Sequence, residues 1–410
     1  MNNDKKEMRK NTVKYKLILA GIVILILSAA CSSAFSGVEK ISQQDKQQLS
    51  KYLRGNWKSP EDYVVEKFSK YDIIFLGEMH RIKHDVELVH NLIPRLYEAG
   101  IYNLGIEFGG YEYQDKVDLL VTAQKYDENM ARWLMFKFAT YWGMTEYIDI
   151  YRKAWELNKS LPKDAPKFRV VNLGYRANWS LLGPNTSVEV RKKVFHKGDP
   201  DEYMAKVIFK EFVDKDQKAL IYSGSHHAFT HYNQPRYDFK KKKLMGSIKN
   251  RMGNVVHSKI PNKVFNIFLY SPWMTREDVS KLAAPVNGII GEVMKEFKNK
   301  RVGFDVKGSL FGKLTDDSTY YSLGYKDFTL STFCDGCIFQ KNLSDYKGCT
   351  VDTKFVTDKN LQEAINNLPN VEARKLFATP EDFANNVRKD TNMKKRFHDM
   401  GVLPASSEEK

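Results

Sequence analysis

Cysteine is scarce and poorly placed for metal chemistry. The 410 residues contain four. Cys334 and Cys337 form a C-x-x-C, but no second pair exists to complete a four-thiolate zinc site. Both lie in an apolar run, residues 332–339, that reads as a strand interrupted by Gly336. A structural role or one disulfide is therefore expected, rather than redox catalysis. A bilayer-spanning stretch is lacking as well. The apolar run 17–30 (LILAGIVILILSAA) is 14 residues long, short of the roughly 20 a membrane helix needs. Acidic residues are the minority, 50 against 65 Lys and Arg, for a formal charge of +15. Neither an aromatic-basic recognition motif nor zinc-finger spacing accompanies that excess, so nucleic acid is not the expected partner. A diffuse basic surface, with one dense run at Lys240–Lys243, suits anionic lipid or another acidic surface.

The first thirty residues have a purpose of their own. A basic start, an apolar stretch of signal-peptide length and small residues before Cys31 match an export signal. The segment Leu27-Ser28-Ala29-Ala30-Cys31 resembles a lipobox, although Ser28 stands where the lipobox Leu usually does. Residues 1–30 are thus expected to be a signal peptide, with lipidation at Cys31 as the membrane anchor. Residues 31–57, rich in Gln and Lys, read as a spacer. The location implied is extracytoplasmic, in a periplasm or at a cell surface.

Beyond the spacer, short apolar runs alternate with helical periodicity. Residues 72–77, 103–108, 168–173, 219–224 and 264–270 read as buried strands. Helices are expected at 81–98, bent or restarted by Pro94, at 113–159 as an inserted helical cap, and at 201–213. This pattern predicts an α/β fold with a largely parallel central sheet flanked by helices. The body is expected over residues 58–310, with 311–410 as an extension to which no activity is assigned.

In such sheets the ligand site lies outside the carboxyl ends of the strands. The first strand runs into Gly77-Glu78-Met79-His80, the second ends at Glu107, the third at Asn172, and the fourth runs into Gly224-Ser225-His226-His227. Five of the nine histidines lie in or just after the two Gly-x-x-His segments. A Gly at each strand exit would let the backbone turn sharply. Two imidazoles and a carboxylate suit a divalent transition metal, with His80, Glu107 and His227 as ligands and Glu78 as base or as partner to a ligand. Without metal, the same residues could act as a Glu-His pair in general acid-base hydrolysis. His226 could take the place of His227. Asn172 is a further candidate or a simple turn residue, as is Asp305. His84 and His90 are expected to be packed or solvated. Trp133, Met135, Phe136 and Phe138 could line an apolar pocket over the site, or form only the core of the insertion.

These segments resemble a superfamily that contains the ChaN haem-binding uptake lipoproteins, the Tiki and TraB-type metal-dependent proteases and, more distantly, the erythromycin esterases. The resemblance rests on residues 74–80, 104–107, 170–172 and 220–227, and covers roughly residues 65–310. From the Tiki-type proteases it implies a metal on His80, His227 and Glu107, and hydrolysis of an ester or amide bond in a small molecule or peptide. From ChaN it implies a haem-binding lipoprotein serving iron uptake, with a Tyr as haem ligand that no local motif places. A pseudoenzyme scaffold is supported only by the basic surface.

Overall fold

The computed structural model describes residues 42–184 and 186–403. The signal segment and Cys31 lie outside the described residues. The chain divides into two units, residues 1–45 and 46–410. Of the first, only residues 42–45 are described; there Ser42 Oγ donates to Asp45 Oδ2 at 2.6 Å.

The body is built on a seven-stranded sheet. In chain order the strands are β1 (Ile73–Glu78), β2 (Asn103–Gly110), β3 (Arg169–Gly174), β4 (Ala219–Gly224), β5 (Gln234–Asp238), β6 (Lys243–Ile248), β7 (Val264–Leu269), β8 (Trp273–Met274), β9 (Leu282–Ala283), β10 (Val302–Asp305) and β11 (Gly336–Phe339). The large sheet has the order β10-β11-β7-β1-β4-β2-β3; β5–β6 and β8–β9 form separate pairs. All neighbours in the large sheet are parallel except β10 and β11. This is the α/β architecture expected from the sequence.

Strand side chains alternate between two buried faces, which is why the strands read as continuous apolar runs. Ile74, Leu76, Leu104, Ile106 and Leu220 face a core shared with helices Lys83–Glu98, Gln114–Thr122, Glu128–Phe138 and Thr145–Ser160. Ile73, Phe75, Val171, Leu173 and Ile221 face a second core, built with helices Pro200–Glu211 and Met252–Lys259. The helical insertion is present. Its Met135 and Phe136 are buried in the first core, and Trp133 and Phe138 pack against it, so these four do not form a pocket over the site.

Several expectations need correction. Pro94 does not restart its helix, which runs unbroken over Lys83–Glu98. Pro94 is exposed, so the carbonyl it leaves without an amide partner can turn to water. Helix Gln43–Asn56 buries Leu49 and Leu53, so most of the expected spacer is folded chain. No boundary falls at residue 310. β11 inserts between β10 and β7, and Phe355, Val356, Ala364, Leu368, Phe383 and Val387 complete the first core. The C-x-x-C segment is a short helix, Leu330–Phe333, followed by β11. Cys334, Cys337 and Cys349 are free, buried thiols. Burial pushes all three up, away from the reactive thiolate.

Candidate functional site

Strands β1, β4 and β2 are adjacent and parallel, with Glu78 opposite Gly224. Their carboxyl ends therefore open onto one edge of the sheet. The two glycines at this edge do not turn the chain, since neither has a positive φ. They make room. A Cβ on Gly77 would stand 3.1 Å from both Ser225 Cα and Ala228 Cβ, and one on Gly224 would stand 2.6 Å from His80 Cε1 and 2.9 Å from its Nε2. The bare Gly224 backbone is thus the floor under the His80 ring.

His80 is held from behind. Its Nδ1 lies 2.8 Å from Glu78 Oε1, and Glu78 is only 1% exposed. Tyr147 donates its hydroxyl to the same Glu78 oxygen at 2.6 Å, and Tyr222 donates to the other. A buried carboxylate with three donors is anchored, and it keeps the proton of His80 on Nδ1. The Nε2 lone pair then faces the site. Trp142 and Phe108 meet the imidazole edge-on, at centroid distances of 5.0 and 5.6 Å, and fix its plane. Glu78 is thus a partner of His80 and not a free base.

His227 repeats the arrangement from the β4 side. Its Nδ1 is 2.6 Å from Asp201 Oδ1, and Asp201 is fixed by the Met252 amide at 2.8 Å and by Arg251 Nη1 at 3.1 Å. The outward Nε2 lies 3.4 Å from Glu107 Oε1. Burial pulls the imidazole pKa down, but Glu107 and the hydrogen-bonded Asp201 more than offset this and carry it up to about 9. Against burial, the hydrogen bond and charge of His227, the Met252 amide and Arg251 hold Asp201 below its ordinary value. Glu107 Oε2 accepts the Gly224 amide at 2.8 Å. The same oxygen lies 3.4 Å from where the Gly224 Cβ would stand, the point that also touches the His80 ring.

The structure therefore brings Glu78, His80, Glu107 and His227 together. Among the described residues no group of three or more His, Cys, Asp or Glu is disposed to hold a metal ion. The expected metal centre on His80, Glu107 and His227 is not seen among them. Glu107 Oε2 accepts from the Gly224 amide, and its Oε1 faces His227 Nε2. His226 is not the partner of Glu107: its Nε2 meets the Tyr321 hydroxyl at 2.8 Å, and burial lowers its pKa to about 3. Asn172 sits within β3, where its Oδ1 accepts from Tyr151 at 2.9 Å; its role is structural. Asp305 pairs with Lys67 and Tyr63 at 2.7 Å each. His84 is packed against Tyr346, and His90 reaches the Glu146 carbonyl at 2.8 Å.

Sequence reasoning missed Asp201, Arg251, Tyr147, Tyr222 and Trp142. Tyr222 left a signal, a phenol inside an otherwise aliphatic strand, and such a buried hydroxyl needs a partner. Asp201 left none, because its helix lies elsewhere in the chain.

The site opens into a cleft of about 380 Å³ lined by Glu78, His80 and His227, together with Arg81, Trp273 and, from the C-terminal segment, Arg396.

No family model and no curated protein matches the sequence. Solved structures are similar in fold. A succinoglycan biosynthesis protein matches at 12% identity and a TM-score of 0.49, over 72% of this chain and 97% of its own. An erythromycin esterase in its open conformation matches at 10% and 0.43, over 74% and 94%. ChaN of Campylobacter jejuni, with cofacially bound haem, matches at 16% and 0.34, over 54% and 89%. The last two belong to groups that the motifs resemble, and each likeness is one of fold alone.

Proposed function

We propose that the chain is a hydrolase of ester or amide bonds that works by general acid-base catalysis at His80, Glu107 and His227, without a resident metal. The carrying observation is the Glu78 carboxylate, itself held by Tyr147 and Tyr222, against His80 Nδ1, which leaves Nε2 as a proton acceptor over Gly224. Water between His80 and Glu107 would give a proton to His80 Nε2 as its oxygen adds to the substrate carbonyl. Protonated His227 would stabilise the oxyanion and then protonate the leaving oxygen or nitrogen as the carbonyl bond to it breaks. Glu107 balances the charge of His227 and orients the water.

The test is a panel of chromogenic esters and amides on the full-length chain in detergent, with and without chelator. His80→Ala is expected to lose on the order of 10²-fold or more in kcat. Glu78→Gln is expected to lose a similar factor at unchanged KM, because it frees the imidazole to adopt the wrong tautomer. Loss of activity on chelation would restore the metal reading, and full activity in His80→Ala would end the proposal.

The second reading is a haem carrier, drawn from the motif resemblance. Tyr321 is the tyrosine of the cleft wall, and haem ligation there would have to break its bond to His226. A haem titration with no Soret shift removes this reading. For location, the proposal is export with a lipid on Cys31.

A further inference from the structure

We propose that Arg396 and Arg81 form an oxyanion subsite in the cleft, so that the substrate carries a carboxylate or phosphoryl group beside its scissile bond. This deepens the hydrolase reading and rests on it for the word substrate; the binding site itself stands on the arginines.

Arg396 lies on helix Met393–Asp399 and lines the cleft. Its Nη1 is shielded from solvent and has no hydrogen-bond partner among the described residues. Asp390, the acidic group near it, is taken by Arg81 Nη2 at 3.3 Å. Burial and the neighbouring Arg81 both work against the charge of Arg396. A guanidinium left in that condition is costly unless something supplies acceptors, and a planar fork of donors matches an oxyanion in two-point contact.

Arg81 is held at the same wall by its backbone. It follows His80 directly, and its φ of 76° is a left-handed conformation rare for a non-glycine residue. The turn is pinned on both sides: its amide donates to the Tyr147 hydroxyl at 2.9 Å, and its carbonyl accepts the Cys349 amide at 2.9 Å. Its guanidinium lies 5.4 Å over the Trp142 ring. The hydroxyl residues Ser225 and Ser271 line the same cleft. The one acidic lining residue is Glu78, already bound by three donors. Basic residues therefore outnumber acidic ones in the cleft lining, and Arg81 sits one residue from His80.

The experiment is calorimetric titration of the full-length chain in detergent at low salt with benzoate, phenylphosphonate and neutral benzamide, the benzamide arm being repeated in His80→Ala, which cannot turn over its amide. At least one of the two anions is expected to bind tenfold or more tightly than benzamide. Which of them does so identifies the oxyanion as carboxylate or phosphoryl. Arg396→Met is expected to erase that preference and Arg396→Lys to keep part of it. Arg81→Met, which weakens the preference, serves if Arg396→Met does not fold. Equal binding of anions and benzamide, or an undiminished preference in Arg396→Met, overturns the subsite. His80→Ala separates the two proposals: it should abolish hydrolysis and leave anion binding intact. Arginine-dependent anion binding in a chain that hydrolyses nothing would sink the hydrolase reading and leave the subsite standing.

Discussion

Gly224 illustrates how little side-chain volume the site tolerates. A methyl group there would stand 2.6 Å from His80 Cε1, inside van der Waals contact. The His80 side chain is one-third exposed, so the ring can swing away at modest cost to the fold. Gly224→Ala is expected to lower kcat tenfold or more while thermal melting moves by only a few degrees; a variant that melts early would instead show the residue to be structural. His227 sets a pH limit. Its folded pKa of about 9 lies above the ordinary value of 6.5. Its contribution to stability is therefore complete below about pH 6.5 and lost as the pH rises through 9. The charged imidazole is also the proposed acid. The rate should thus fall along an alkaline limb near pH 9, and the melting-temperature gap between the native chain and His227→Gln should narrow over the same window. A rate that stays flat to pH 10 would contradict the assignment.

At the scale of elements, each catalytic group is carried by one segment and steadied by another. β1 carries Glu78, while Tyr147 comes from helix Thr145–Ser160 and Tyr222 from β4. His227 follows β4, but Asp201 opens helix Pro200–Glu211 and Arg251 precedes helix Met252–Lys259. The strand exits were readable because Gly-x-x-His after an apolar run is a local pattern. The supports were not, since their spacing along the chain follows no rule. β11 makes the same point for the fold. Its apolar run reads as a strand, but nothing local places that strand in the central sheet, where it pairs with β7 on one side and β10 on the other. Ile338 is fully buried there. Ile338→Ala is expected to cost about 2–5 kcal/mol, seen in urea as an earlier but still single transition. Two separate transitions would mean that the C-terminal hundred residues fold apart from the rest.

For the whole molecule, the body and its proposed place in the cell rest on different grounds. Among the described residues no helix is long and apolar enough to cross a membrane, and the proposed attachment is a lipid on Cys31. Cys31→Ala is expected to move the protein from the membrane pellet to the soluble fraction and to abolish labelling by radioactive palmitate. Retention in the pellet without label would point to an uncleaved apolar segment instead. By itself, the order of residues determined the α/β class, the central strands and the set Glu78, His80, Glu107 and His227, because buried parallel strands and the glycines at their exits are local patterns. Only the tertiary structure decided that Glu78 pairs with His80 and Glu107 with His227, that Asp201, Tyr147 and Tyr222 hold them, and that residues 311–403 complete both sheet and cleft. The physical reason is range. Periodicity is set by neighbours a few residues apart, whereas the protonation and aim of an imidazole are set by whichever side chains the folded chain brings against its far nitrogen.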